Sequence, residues 1–293
     1  MRHLVIGASG QVGEHLLRTL HQSGEEAVGT YRQQVGHELI RLNVSERIEV
    51  LALIQQTQPE VIYLPASLTN VDYCESHPDE AFLTNVTGVE NVIQAANAVR
   101  AKLVYFSSDY IFDGMAGPYV ENDTARPLSV YGRQKLLAEQ AIRQRADTFL
   151  IIRTTVVYGW ERQGKNFVYR MLRTLRNGQP LLVPSDQMGT PTYAPDLARA
   201  VLDLARVSTN DVFHVVGPDL LSRHDFSLAV AEVFGLDQNM VRPVLTADLG
   251  QAAPRPLKAG MIAAKAETIL GRPLVGHRDG LTWLKEQEEH NGR

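Results

Sequence analysis

The sequence predicts an α/β protein: a doubly wound parallel sheet with helices on both faces, followed by a smaller carboxyl-terminal lobe. Short runs that are apolar almost throughout alternate with helix-length amphipathic segments over the first half of the chain. Strands of that composition are buried on both faces, as in a parallel sheet covered by helices on each side. Crossovers between such strands are nearly always right-handed, so a doubly wound sheet is the expected product. Beyond about residue 160 the rhythm changes, and Pro180, Pro184, Pro191, Pro195, Pro218, Pro243, Pro254 and Pro256 divide the chain into short elements.

In chain order the predicted strands are Leu4–Ile6, Glu26–Gly29, Leu39–Leu42, Val61–Leu64, Leu103–Phe106 and Phe149–Ile152. Between them the helical period places helices at Gln11–Gln22, with Val12, Leu16, Leu17 and Leu20 on one face, and at Glu46–Gln56, Pro78–Val99 and Tyr131–Arg145. The later part predicts helices at Asn166–Arg176, Asp196–Arg206, Arg223–Phe234 and Leu281–Glu289. Within 190–220 the segment Ala194–Val216 is a candidate to return a strand to the first lobe. No internal repeat or long linker separates the lobes, so they are expected to share an interface of the kind where small-molecule clefts form.

Composition excludes several classes. The chain has 293 residues, with 29 basic and 33 acidic side chains giving a net charge of −4. Such a chain lacks the cationic field that recruits nucleic acid or an anionic membrane. An apolar fraction of 44% with 21% charged residues is that of an ordinary folded protein and excludes wholesale disorder. No apolar run reaches the ~18 residues of a membrane span, and MRHLVIGASG has neither the basic flank nor the cleavage site of a signal peptide. A single cysteine, Cys74, rules out an internal disulfide and fits a reducing cytoplasm. Nine histidines without ligand spacing give no support for a metal. His214 and His224 are expected to border the second lobe, and Arg162, Arg170, Arg173 and Arg176 to form a solvated cationic face or attract a diphosphate.

The first candidate site is a turn. Gly7, Gly10 and Gly13 follow the first strand at once and open the first helix, with Gln11 and Val12 between them. Glycines allow a tight turn and a close approach of backbone to a pyrophosphate, and the helix amino terminus supplies free N–H groups and partial positive charge. This predicts a Rossmann-type dinucleotide site. At the end of the second strand, where NAD-binding chains usually carry a carboxylate, the sequence reads Gly29-Thr30-Tyr31-Arg32. The guanidinium of Arg32 suits a 2′-phosphate, which points to NADP(H), with NAD(H) as the alternative. The expected division is therefore a dinucleotide-binding domain over 1–160 and a mainly substrate-binding lobe over 161–293.

The second candidate site is a trio. Tyr131 and Lys135 lie four residues apart on one helix face, and Ser108 ends the strand Leu103–Phe106. Hydride delivery to a carbonyl builds negative charge on oxygen and calls for a proton. A phenol of pKa ~10 serves better when a cation stabilises its anion. Lys135 can supply that cation, and the Ser108 hydroxyl can hydrogen-bond the carbonyl oxygen. The chain holds only six lysines and none before Lys102, so a lysine at this spacing is informative.

Together these residues resemble the extended short-chain dehydrogenase/reductases. The segments SSDYIFDG (107–114), ARPL (125–128), PLSVYGRQK (127–135), GKNF (164–167), DQMGTPT (186–192) and APRPLKAGMIAAKAETILG (253–271) resemble the dTDP-4-dehydrorhamnose reductase family along essentially the whole chain. The resemblance implies that Tyr131 donates the proton, that Lys135 tunes it and holds the nicotinamide ribose, and that Ser108 orients the carbonyl. It implies cofactor contacts at Gly10, Gln11 and Val12, adenine contacts at Asn43 and Val44, and passage of Pro65, Ala66 and Ser67 beside the cofactor. It assigns the nucleotide-sugar to Asp109 and the 186–192 loop, with Gln187 and Thr190, and it carries a homodimer as a family-level expectation.

Three positions depart from the family pattern. Val156 replaces a sugar-facing tryptophan, Leu68 a polar or aromatic residue, and His15 a glutamate associated with a metal-bridged dimer. The implied activity is NADPH-dependent reduction of the 4-keto group of a nucleotide-activated deoxysugar. A nucleotide-sugar epimerase is one alternative. A dehydratase is disfavoured because Ser108-Asp109-Tyr110 lacks the glutamate it would use. The regulatory β subunit of methionine adenosyltransferase shares SSDYIFDG, Tyr131 and Lys135 and is the non-catalytic alternative.

Overall fold

A computed structural model describes residues 1–33, 38–207 and 210–291. In chain order, β1 (Arg2–Val5), α1 (Gln11–Gln22), β2 (Glu26–Tyr31), β3 (Ile40–Arg41), α2 (Arg47–Thr57) and β4 (Val61–Leu64) come first. They are followed by α3 (Val71–Ser76), α4 (Pro78–Phe82), α5 (Gly88–Val99), β5 (Lys102–Ser108), α6 (Val130–Arg145) and β6 (Phe149–Thr154). The later elements are β7 (Val157–Tyr158), α7 (Phe167–Arg176), β8 (Leu181–Pro184), β9 (Met188–Gly189), β10 (Thr192–Tyr193) and α8 (Ala194–Ala205). The chain closes with β11 (Asp211–His214), β12 (Leu221–Ser222), α9 (Arg223–Phe234), β13 (Val241–Val244), α10 (Ala264–Leu270) and α11 (His277–Asn291).

Seven strands form the central sheet in the order β11-β6-β5-β4-β1-β2-β3. Every pairing in it is parallel, including that of β11 with β6. Side chains alternate between two cores. Leu4, Ile62, Leu64, Leu103, Tyr105 and Ile151 face one core, which Val50, Val92 and Ile142 complete from α2, α5 and α6. Val5, Tyr63, Val104, Phe106 and Ile152 face the other, completed by Leu16 and Leu20 of α1 and Leu197 and Val201 of α8. A third core gathers Tyr158, Met171, Leu172, Tyr193, Phe226, Val230, Leu281 and Leu284 around α7, α9 and α11.

The strand order reverses at β1, whose neighbours are β2 on one side and β4 on the other. The loops leaving β1 and β4 therefore diverge at their carboxyl ends, where doubly wound sheets open a crevice for ligands. The Ala66 amide donates to the Ile6 carbonyl at 3.0 Å, so residues 65–67 run directly beside the glycine turn.

Most elements match the sequence reading, and the differences have physical reasons. The single helix expected over Pro78–Val99 is interrupted by a π-helical turn at Leu83–Thr87, in which Thr84, Asn85 and Val86 are buried. Such insertions are frequent at functional sites, and this one turns the Asn85 side chain inward. His214 does not border a second lobe: it ends β11 in the central sheet with no exposed surface. The short helices α3 and α10 lack a periodic apolar stripe long enough to be read. No helix among the described residues is long and apolar enough to cross a membrane.

Segment 159–163 spans from the third core back to α1. The Gln11 side-chain amide donates to the Gly159 carbonyl at 3.1 Å, and Gln163 donates to the Ser9 carbonyl at 2.8 Å. His15 Nε2 lies 2.9 Å from the Trp160 carbonyl, so that nitrogen carries the proton. Burial, only partly offset by this bond, lowers the His15 pKa to about 4. An imidazole depressed in this way stabilises the fold fully above its unfolded pKa of about 6.5 and progressively less as the pH falls toward 4. Wild-type stability in urea should therefore fall by up to about 1.4 kcal/mol per pH unit below 6.5 through this group alone. His15→Gln, which retains an amide donor for Trp160, should flatten that acid-side loss. Parallel slopes for the two proteins would show that His15 does not carry it.

Candidate active site

The turn after β1 is shaped by its packing. Gly7 has φ +96°, and a Cβ there would lie 2.9 Å from the Ala66 Cα. A Cβ on Gly13 would lie 2.3 Å from the Gly7 carbonyl oxygen. A Cβ on Gly10 would meet nothing closer than the Gly7 oxygen at 3.5 Å, so this residue faces open space where a ligand can approach the backbone. Thr30 fixes the turn from β2: its hydroxyl accepts from the Gly7 amide at 3.1 Å, and its carbonyl from the Ala8 amide at 2.7 Å. The first helical bond of α1 runs from the Glu14 amide to the Gly10 carbonyl. No side chain caps this helix, so the amides of Gln11, Val12 and Gly13 present its positive end to the crevice. These features suit a pyrophosphate.

The remaining candidate cofactor residues lie around the same crevice. Arg32 is exposed at the end of β2, and its Nη1 donates to the Thr84 hydroxyl at 3.1 Å. Asn43 follows β3, with its carbonyl oxygen Oδ1 accepting from the Ser45 amide at 3.3 Å. Val44 is buried against Gly88, where a Cβ would come within 2.6 Å of its methyl group. Pro65, Ala66 and Ser67 are half-buried, and the Ser67 hydroxyl donates to Asn85 Oδ1 at 2.9 Å.

The trio converges at the carboxyl end of β5. Ser129 caps α6 by accepting from the Gly132 amide, and a Cβ on Gly132 would come within 2.1 Å of the Tyr110 carbonyl oxygen. That contact seats the start of the helix hard against the residues following Ser108. Tyr131 is 7% exposed, packed with Cys74 and Ala81 and set edge-on to Tyr110 at a centroid separation of 5.6 Å. Lys135 is 3% exposed. Its Nζ donates to the Phe106 carbonyl at 2.8 Å and lies 4.8 Å from the ring centre of Tyr105 and 5.8 Å from that of Tyr131.

The electrostatics follow from this burial. Desolvation brings the Lys135 ammonium down to about 7, opposed by the Glu139 charge. Burial, with Asp109 adding to it, raises the Tyr131 phenol well above its usual range, while a hydrogen bond with Ser108 pulls it down. The phenol is therefore held as a proton donor, and only a nearby cation makes its anion accessible. The Ser108 hydroxyl donates to Asp109 Oδ1 at 2.9 Å. Burial raises the Asp109 carboxyl, against hydrogen bonds from Thr155 and Ser108 and the charge of Arg223.

Arg223 belongs to α9, so an element from the carboxyl-terminal part of the chain brings its charge to bear on Asp109. Its guanidinium stacks over Phe167 at 5.2 Å, and its amide donates to the Gln187 carbonyl at 2.8 Å. Gln187 Nε2 is engaged with Thr246 at 3.0 Å, and the Thr190 hydroxyl is buried without a hydrogen-bond partner among the described residues. Val156 has φ +45°, a left-handed conformation that β-branched side chains rarely adopt and that marks local strain. The arginines of α7 face solvent, with Arg176 paired to Glu288 at 2.9 Å. No group of three metal-ligating side chains occurs among the described residues.

Sequence reasoning missed the residue that ties these parts together. Asn85 Oδ1 accepts from the Leu68 amide at 2.8 Å, while its Nδ2 donates to the Leu68 carbonyl at 3.1 Å and to Gln134 Oε1 at 3.0 Å. It joins the 65–68 stretch to the helix bearing Tyr131 and Lys135. In the sequence it stands within Asn85-Val86-Thr87, a match to the glycosylation pattern that carries no weight in a chain expected in the cytoplasm and says nothing of this role. Only the π-helical turn reveals that it points inward.

A family model described as RmlD substrate binding domain matches residues 1–288. The chain is 35% identical over 254 residues to the spore coat polysaccharide biosynthesis protein SpsK of Bacillus subtilis, covering 86% of each. It is 30% identical over 275 residues to methionine adenosyltransferase 2 subunit beta of Xenopus tropicalis, covering 92% of this chain and 82% of that protein. A crystal structure of dTDP-4-dehydrorhamnose reductase from Bacillus anthracis in complex with NADP superimposes with a TM-score of 0.89 at 29% identity, over 98% of this chain and 99% of that one. The chain belongs to the RmlD substrate-binding family.

Proposed function

We propose that this protein reduces the 4-keto group of a nucleotide-activated deoxysugar, using NADPH. The observation that carries the reading is the burial of Tyr131, Lys135 and Ser108 together at the end of β5, bonded through Asn85 and Gln134 to the strand end beside the glycine turn. Supporting it, a structural neighbour of the same family is a dTDP-4-dehydrorhamnose reductase with NADP bound.

In this reading the amides of Gln11, Val12 and Gly13 hold the pyrophosphate, Arg32 the 2′-phosphate, Asn43 and Val44 the adenine, and Pro65–Ser67 the cofactor's flank. The nicotinamide, when bound, supplies the hydride. Ser108 rotates its hydroxyl from Asp109 to the carbonyl oxygen, and Tyr131 delivers its proton there as negative charge develops. The Lys135 ammonium stabilises the phenolate left behind. Asp109, Gln187 and Thr190 hold the sugar nucleotide. Residues 1–160, with β11, form the cofactor domain, and most of 161–293 forms the substrate lobe. We assign the protein to the cytoplasm, where its lone buried Cys74 stays reduced, and propose that two copies pair as a homodimer.

A second reading is favoured by the similarity to methionine adenosyltransferase 2 subunit beta: a regulatory chain that binds NADP without turnover. Nicotinamide absorbance separates the two when nucleotide-4-keto-sugars are offered with NADPH. A reductase consumes NADPH on at least one of them. A regulatory subunit consumes none, and an epimerase converts sugar with no net consumption.

Two substitutions test the assignments. Tyr131→Phe should lower kcat by about 10³-fold while the affinity for NADPH stays within about threefold; a variant that keeps most of its rate removes Tyr131 as the acid. Arg32→Ala should raise the KM for NADPH by about tenfold or more and leave that for NADH unchanged, because a charge-assisted bond to phosphate is worth about 1.5–3 kcal/mol. Equal losses with both cofactors would place Arg32 away from the 2′-phosphate.

A further inference from the structure

We propose that Glu139 is a positioning residue for this reaction: clamped by Arg153, its carboxylate keeps the buried Lys135 charged beneath Tyr131. The inference rests on the reductase reading above.

The geometry begins on α6. Tyr131, Lys135 and Glu139 succeed one another at four-residue intervals, so all three lie on the face that packs against the sheet. Glu139 is 1% exposed and Arg153, on β6, 3%. Arg153 grips the carboxylate with both arms, Nε to Oε1 at 3.0 Å and Nη2 to Oε2 at 2.7 Å. The guanidinium is itself held: Nη1 donates to the Glu121 carbonyl at 3.0 Å, lies 3.4 Å from His214 Nε2, and its plane centres 5.5 Å from the Phe112 ring. The carboxylate therefore cannot swing to solvent.

A buried ion pair is weak grounds for stability, since apolar residues of similar volume often serve as well. It does fix a charge in place. Facing Lys135 are Tyr131 and Glu139 from its own helix, Tyr105 from β5 and Cys74 from α3. Burial pushes the Cys74 thiol up to about 11 and raises the Tyr105 phenol well above its usual range, so both are neutral near pH 7. Among these groups Glu139 alone brings negative charge to oppose the desolvation of the ammonium, and the Arg153 guanidinium that grips it offsets part of that charge. Without it, Lys135 would lose its proton at lower pH and could no longer stabilise the Tyr131 anion.

The test is the pH profile of kcat/KM, and in parallel of NADPH affinity, for wild type, Glu139→Gln and the double variant Glu139→Gln/Arg153→Met. The single variant strands a buried guanidinium and should melt at lower temperature, whereas the double variant removes both charges and should retain most of its stability. Glu139→Gln should show the alkaline limb moved to lower pH by about one pH unit or more. The double variant, which also loses the opposing Arg153 cation, should show a smaller move in the same direction, and both should keep rates within about threefold of wild type on the acid side. A stable double variant with the wild-type limb in both profiles would reduce the pair to a structural role and overturn the inference. A double variant that fails to fold would do the same. Wild type without turnover on any keto-sugar nucleotide would instead remove the reductase reading, and the inference with it.

Discussion

Burial of the Lys135 ammonium at the end of β5 is the interaction on which the site depends. An amine 3% exposed, with the Phe106 carbonyl as its hydrogen-bond acceptor, is costly to keep charged. The fold meets that cost with a carbonyl at a strand terminus, two aromatic faces and a fixed carboxylate one helical turn away. Each requires the others. Moving α6 by one residue along the sheet would separate Tyr131 from Ser108 and Lys135 from Phe106 at once, and the close approach at Gly132 opposes such a shift.

The parallel sheet supplies the second constraint. Because β1, β4, β5 and β6 run in one direction, their carboxyl ends bring the glycine turn, the 65–68 stretch, Ser108 and Thr155 to one edge. Asn85 couples the 65–68 stretch to α6 by bonding to Leu68 and Gln134, and segment 159–163 reaches back from beyond β7 to the carbonyl of Ser9. The segment that follows β7 is thus tied by hydrogen bonds to the glycine turn and the start of α1.

Much of this was legible in the sequence where a local rule governs. The helix Gln11–Gln22 and the strand Val61–Leu64 coincide with their predicted limits, because apolar period and flanking turn residues agree there. The glycine turn and the Tyr–Lys spacing were legible because each chemistry needs its residues close in sequence. What stayed hidden depends on distant contacts. Asn85 faces inward only through a π-helical turn, the Arg223 charge acts on Asp109 from a helix more than a hundred residues away, and the Arg153–Glu139 clamp joins a strand to a helix. The candidate return of a strand within Ala194–Val216 is realised as β11, which carries His214 into the central sheet rather than to the border of the second lobe.

The central claim is that Tyr131, Lys135 and Ser108 surround the point where hydride meets a sugar carbonyl, and isotope transfer tests it most directly. NADPH deuterated at one face of nicotinamide C4, incubated with the protein and a nucleotide-4-keto-6-deoxysugar, should yield product with deuterium at sugar C4 from one labelled epimer and none from the other. Product without label from either epimer, or label at any other carbon, would contradict the account.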